Sequence, residues 1–237
     1  MLIDPSAVKT AATAIENRSS AEAVLAKQLV KDCRLVFWDF DGVIKDSVTV
    51  KADGFEQLFL PYGRDVAERV RKHHEANGGV SRYEKVPIYL EWVGETVTPN
   101  RVRAFCDRFS ELVCQAVIDV AWVPGVHEYL RVHHASQPFV LVTATPQEEI
   151  LQILHVLGIA DYFREVHGTP TSKTTAIQDV LRRWRCPPSQ ALVVGDSDTD
   201  LKAAEANGVA FLLRRTAFNQ SLQERYSGPV FDDLNHE

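Results

Sequence analysis

No stretch of this 237-residue chain approaches the ~18 consecutive apolar residues that a membrane-spanning helix needs. The start, Met1-Leu-Ile-Asp-Pro, lacks the basic-then-apolar order of a secretory signal. Cysteine is scarce, and Cys33, Cys106, Cys114 and Cys186 form no C-x-x-C pair, so they read as reduced packing residues of a cytoplasmic protein. Positive charge is in deficit as well. With 26 Lys and Arg against 32 Asp and Glu, the net charge is −6 and the basic residues are dispersed, so no nucleic-acid partner is expected. Arg182, Arg183 and Arg185 read as a solvated helix face. Internal repeats and low-complexity segments are absent too.

What is present is a hydrophobic content of 45%, enough to bury one large domain or a core with an insertion. The chain is organised around Arg34 to Ser47. Leu35 to Trp38 form a short apolar run of the kind that makes a buried strand in a parallel sheet, and Gly42 signals a turn. Between them stand Asp39 and Asp41. Residues two apart on a strand point to one side, so both carboxylates would face the carboxyl edge of the sheet, where open α/β sheets bind ligands. Acids so close repel unless a cation sits between them or one carries a proton. A solvated loop is the plainer alternative, and the apolar run before them argues against it.

Before this strand, the spacing of Val8, Ala12 and Ile15, the capping box at 19–22, and Val24, Leu25 and Leu29 predict a pair of helices. This 1–33 extension would pack on the core or supply a homo-oligomer surface. After Ser47 the pattern is helical. Phe55, Leu58 and Phe59 share a face, and Val66 and Val70 begin another helix. Asn77-Gly78-Gly79 reads as the centre of a loop over 72–85. Thr98-Pro99 opens a helix striped by Val102, Phe105, Phe109, Leu112, Val113 and Ala116. Residues 48–122 therefore form an all-helical insertion, and 34–47 with 123–237 form an α/β core. In that core Phe139 to Thr143, Phe163 to His167, Ala191 to Gly195 and Val209 to Leu213 read as strands, with a short edge strand near Val230. Helices follow, one opening at a capping box over 145–148, one at Lys173, and one behind Asp196 with Asp198 as its cap.

Strand ends thus carry Asp39 and Asp41, then Thr143 beside a helix start, then Asp196 with Asp198 and Asp200, while Lys173 begins a helix between the last two. Acids that can hold a divalent cation, joined by a hydroxyl, a lysine and amides that can hold an anion, suit a metal-bound phosphate.

Here the chain resembles the haloacid dehalogenase superfamily of phosphohydrolases. Asp39-Phe-Asp-Gly-Val43 matches its first motif and Leu141-Val-Thr-Ala144 its second. Lys173 within 168–173 matches the third, and Gly195-Asp-Ser-Asp-Thr-Asp200 the fourth. The position of the insertion resembles the helical cap of the phosphoglycolate phosphatase and β-phosphoglucomutase group. The resemblance implies a Rossmann-like three-layer core under an all-helical cap, acting on a small phosphorylated metabolite such as a sugar phosphate or a phosphoglycolate-like ester. It implies Asp39 as the nucleophile that becomes an aspartyl-phosphate and Asp41 as the acid and base. Mg²⁺ would rest on Asp39, the Asp41 carbonyl and Asp196, with Asp200 as a ligand or just behind one. Thr143 and the Ala144 amide would hold phosphate oxygens, and Lys173 would neutralise charge. Arg82, in Gly79-Val-Ser-Arg82, would grip the retained part of the substrate, helped by Lys85 and His74. Dehalogenases lack an acid at the place of Asp41, so dehalogenation is disfavoured. A β-phosphoglucomutase-like phosphomutase is the alternative to hydrolysis. Those enzymes usually carry a Glu-Asp pair and a histidine where this chain has Gly195-Asp196 and Lys51, which favours hydrolysis. A non-catalytic relative that uses the N-terminal helices for interaction is opposed by the intact acid and lysine set.

Overall fold

The protein is described by a computed structural model, and the structure describes residues 21–235; the expected helix around 8–15 and the first half of the 19–22 capping box lie outside them. Six parallel strands form one sheet in the order β3-β2-β1-β4-β5-β6. They are β1 (Leu35–Trp38), β2 (Phe139–Pro146), β3 (Glu165–Thr169), β4 (Ala191–Gly195), β5 (Ala210–Arg214) and β6 (Val230–Phe231). The order reverses between β1 and β4, so a crevice opens beyond their carboxyl ends.

Every residue of β1 is buried, because the strand is central and covered on both faces. Val36 and Trp38 enter one apolar cluster while Leu35 and Phe37 enter the other. The first face is covered by α1 (residues 21–32), α6 (Val126–His133) and α7 (Gln147–Val156), and the second by α8 (Lys173–Arg183), α9 (Asp198–Ala206) and α10 (Gln220–Arg225). On α1 the structure departs from the expected stripe. Ala26 and Val30 reach the core while Val24 and Leu25 are exposed. Small alanines at 23 and 26, both buried, face the core there.

Between β1 and α6 the chain is helical: α2 (Val48–Phe59), α3 (Arg64–Ala76), α4 (Arg82–Trp92) and α5 (Pro99–Asp119). Phe55 stacks on Phe109 with ring centroids 4.0 Å apart and meets Tyr89 edge-on at 5.5 Å. The loop expected over 72–85 is shorter, since α3 runs to Ala76 and α4 starts at Arg82 behind the Ser81 cap. Pro87 lies inside α4. Among the described residues no helix is long and apolar enough to cross a membrane.

Candidate active site

Asp39 follows β1 directly, and its backbone N–H donates to the Val194 carbonyl at 2.9 Å, which extends the β1–β4 pairing to the strand end. Asp196 follows β4 in the same way. Gly42 then turns the chain with φ +76°; a Cβ there would lie 2.1 Å from Asp196 Oδ2, so the turn that brings the two strand ends together admits only glycine. Asp200, on the first turn of α9, completes the group: carboxylate oxygens of Asp39, Asp196 and Asp200 lie within 4.8 Å of one another, all buried. Lys173, the first residue of α8, places Nζ 3.0 Å from Asp39 Oδ2 and 2.6 Å from Asp200 Oδ1.

Three buried acids crowd here, and Lys173 pairs with two of them, Asp39 and Asp200. Burial, with the charge of Asp200, raises the Asp39 carboxyl to about 7 despite Lys173. Burial and the charges of Asp39 and Asp200 push Asp196 well above the usual carboxylate range. Burial opposes the Lys173 ammonium, but Asp200 and Asp39 outweigh it and raise its pKa. Asp39 Oδ1 is buried with no hydrogen-bond partner among the described residues. An oxygen-only ligand set with an unpartnered oxygen and surplus negative charge fits a hard divalent cation such as Mg²⁺.

The Asp41 side chain stands apart from this group. It accepts hydrogen bonds from Ser47 Oγ at 2.6 Å, Thr145 Oγ1 at 3.0 Å and Lys51 Nζ. Burial pushes its carboxyl up, yet Lys51 and these hydrogen bonds outweigh that and hold it below the usual range. Thr145 was expected to cap α7. Instead β2 continues to Pro146, α7 begins at Gln147 with no side-chain cap, and the Thr145 hydroxyl serves Asp41 and Lys51. Thr143 is buried at the cavity and accepts from the Thr145 N–H at 3.2 Å; three residues separate it from α7, so it is not at the helix start. Ser197, rather than Asp198, caps α9, and the Asp200 carboxylate accepts from its N–H at 3.2 Å and its Oγ at 2.5 Å. Asp198 pairs outward with Arg225.

Above these groups lies a cavity of about 210 Å³ walled by the sheet edge on one side and the helical insertion on the other. Asp39, Asp41, Thr143, Ala144, Lys173 and Asp196 line the first wall, and Lys51, Phe55, His74, Arg82, Lys85 and Phe109 the second. Gly79 (φ +74°) brings the 77–81 loop down on α9, where a Cβ would lie 2.0 Å from Thr199 Oγ1. Arg82 differs from expectation. Its fork is spent on Glu149 of α7, with Nη1 2.8 Å from Oε2 and Nη2 2.7 Å from Oε1, and Nη1 also donates to Ser110 at 2.6 Å. Lys85 and His74 touch each other, Nζ 3.1 Å from Nδ1. Sequence reasoning missed Lys51, Thr145 and Glu149 as partners here. The acidic first turn of α7 was the one visible trace of Glu149, and nothing along the chain linked it to Arg82.

Parallel strands in this order, with acids at the switch point and a lysine facing them, define a hydrolytic centre of one known type. The chain belongs to the haloacid dehalogenase-like hydrolase family, whose family model matches residues 36–213. It is 29% identical over 214 residues to a phosphoglycolate phosphatase of Pseudomonas putida, covering 85% of this chain and 77% of that protein. Among solved structures it is similar to a predicted phosphoglycolate phosphatase from Haemophilus somnus (21% identical, TM-score 0.66, covering 86% of this chain and 96% of the other). It is also similar in fold to a β-phosphoglucomutase from Clostridium difficile (15% identical, TM-score 0.68, covering 86% and 92%).

Proposed function

We propose that this hydrolase is a phosphatase that removes the phosphoryl group of a small phosphomonoester through an aspartyl-phosphate on Asp39, with the 48–122 insertion acting as a cap over the 34–47 and 123–237 core. The observation that carries the reading is Asp39, a buried acid at the carboxyl end of β1 with one oxygen on Lys173 and the other without a partner among the described residues. The Asp39 carboxylate attacks phosphorus, a P–O bond to Asp39 forms, and the ester P–O bond breaks. Asp41 gives its proton to the leaving oxygen. It then takes a proton from the water that attacks the acyl-phosphate, which frees inorganic phosphate and restores Asp39. Lys51 holds Asp41 in its base form, which suits the second half of the reaction, so that pair has to loosen while the ester is bound. Thr143 and the Ala144 amide hold phosphate oxygens, and Lys173 offsets the charge between Asp39 and the phosphate. Asp39, Asp196 and the Asp41 carbonyl, with Asp200 as ligand or support, would hold Mg²⁺, which supplies positive charge to the transferred group. The Pseudomonas relatives named as phosphoglycolate phosphatases support a substrate of small size.

Phosphate release from a panel of small phosphomonoesters tests the proposal. The wild type releases phosphate, and Asp39→Asn, with unchanged circular dichroism, is slower by about 10⁴-fold or more. Wild-type rates in Asp39→Asn would sink the assignment. An isomeric phosphate formed without release would move it to a phosphomutase.

A further inference from the structure

The 215–219 loop, between β5 and α10, also borders the cavity, through Thr216, Phe218 and Asn219. Asn219 stands just before α10, where an asparagine side chain ordinarily accepts from the first N–H groups of the helix. It makes no such cap here. Its amide is turned toward the strand ends instead. Nδ2 donates to the Asp196 carbonyl at 2.6 Å and to the Arg214 carbonyl at 2.9 Å. Oδ1 accepts from the Thr216 N–H at 2.9 Å and from Gln223 Nε2 at 2.6 Å. Two donors and two lone pairs are all that an amide has, so Asn219 lines the cavity with nothing left to offer a substrate. Turned round, its oxygen would face two carbonyls, and one orientation is therefore fixed.

The peptide unit that Asn219 grips lies between Asp196 and Ser197. At its other end the Ser197 N–H donates to Asp200 Oδ2 at 3.2 Å. The plane of this one peptide thus sets Asp200 against Asp196, and Asn219 holds the plane. Buried hydrogen bonds linked in this way strengthen one another. Arg214, the last residue of β5, does the same for the neighbouring turn. It is buried, and its Nη1 donates to the Gly42 carbonyl and to Asp46 Oδ1, each at 3.0 Å, while Nε donates to the Asp232 carbonyl at 3.3 Å. Gly42 is the residue that leaves no room for a Cβ beside Asp196, and it directly follows Asp41. One strand away from the acids, β5 and its loop therefore fasten the backbone of both turns, and Asn219 joins the two fastenings through the Arg214 carbonyl.

We propose that Asn219 and Arg214 are positioning residues for the divalent-cation site, holding from β5 the backbone of the turns that carry Asp196 and Asp41. They act through main-chain carbonyls and are not ligands themselves. The proposal rests on the cation reading of the Asp39, Asp196 and Asp200 group and not on which ester is hydrolysed.

Mn²⁺ binding to the full chain, followed by the electron paramagnetic resonance of the free ion, tests it without turnover. The wild type binds one Mn²⁺, and Asp196→Asn loses it. Asn219→Leu, of similar size but without the amide, should raise the Kd of Mn²⁺ by about tenfold or more, as loss of a group that orients a ligand does. Arg214→Met should do the same, and it is the second variant if the first does not fold. In phosphate release both variants should need about tenfold more Mg²⁺ for half-activation, while KM for the ester at saturating Mg²⁺ changes by less than about twofold. A merely structural role would lower Tm and leave the Kd of Mn²⁺ alone. A lowered Tm with a smaller rise in Kd in both variants therefore overturns the proposal and leaves the cation reading standing. No Mn²⁺ bound by the wild type, or equal binding by Asp196→Asn, ends the cation reading and the proposal with it.

Discussion

The two walls of the cavity are opposites in charge and in construction. On the sheet side three carboxylates stand around Lys173, which pairs with Asp39 and Asp200, and burial together with the neighbouring acids raises Asp39 and Asp196. On the insertion side Lys85 is a buried amine with no carboxylate partner among the described residues, next to an imidazole that burial pushes well below its ordinary pKa. One wall gathers carboxylates and the other basic side chains. The walls also differ in how they are held. The acids sit on strand ends and on α9, where backbone hydrogen bonds such as Asp39 N–H to Val194 set their positions. The basic wall is carried by helices tied to the core by side-chain contacts, among them the Gly79 loop, the Arg82–Glu149 pair and Lys51 with Asp41 and Thr145.

Removing what balances the sheet-side wall should have the largest effect. Chelation of divalent ions should lower phosphate release by at least about 100-fold, with recovery on adding Mg²⁺. Full activity in metal-stripped protein would show that Lys173 alone balances the acids, and the contrast between the walls would collapse. Breaking the brace of the other wall should cost stability first. Arg82 and Glu149 side chains are 4% and 9% exposed, and removing one partner of a buried pair strands the other. Arg82→Ala should therefore cost about 3 kcal/mol, or roughly 6–10 °C in Tm by calorimetry. An unchanged Tm would mean that the pair is not what seats the insertion.

The smallest effect sharpens the same contrast through pH. Burial pushes Glu149 up, but Arg82 and the hydrogen bonds from Arg82 and Ser110 outweigh it, so its folded carboxyl lies below the ordinary value of 4.5. A lowered folded pKa stabilises the fold fully above the unfolded value and less as pH falls through the folded one. The stability gap between wild type and Glu149→Gln should thus be full at pH 6–7 and shrink below about pH 4. A gap that stays constant to pH 3 in urea unfolding would assign the loss to packing rather than to charge.

How much could be read along the chain differs between the walls for a physical reason. Asp39, Asp196 and Lys173 were legible because each is fixed by its own local element: an apolar run ending in an acid, or a serine cap followed by a lysine. Gly42 is the same kind of signal, since its positive φ leaves no other residue a place there. The edge strand at Val230 and the cap at Thr98 were local too. Local reading failed where partners competed. Thr145 looked like a helix cap, and its hydroxyl instead found Asp41 across the sheet edge. The Asn77-Gly78-Gly79 signal was read as a loop over 72–85, and the ends of that stretch belong to α3 and α4. On α1 the large residues drew the expected stripe, and the buried face is the one with the small alanines.

Short-range pattern therefore carries the parallel sheet, the helical insertion and the acids at the switch point, because strand period, turn chemistry and capping act over a few residues. Which cations are free is a different kind of question. Arg82 and Lys85 lie on one helical turn, and along the chain Arg82 read as the main grip with Lys85 as its helper. The fold brings Glu149, 67 positions away, against one of them and leaves the other facing the cavity. Charge pairing depends on distance in space, and that distance exists only once the insertion has packed against α7.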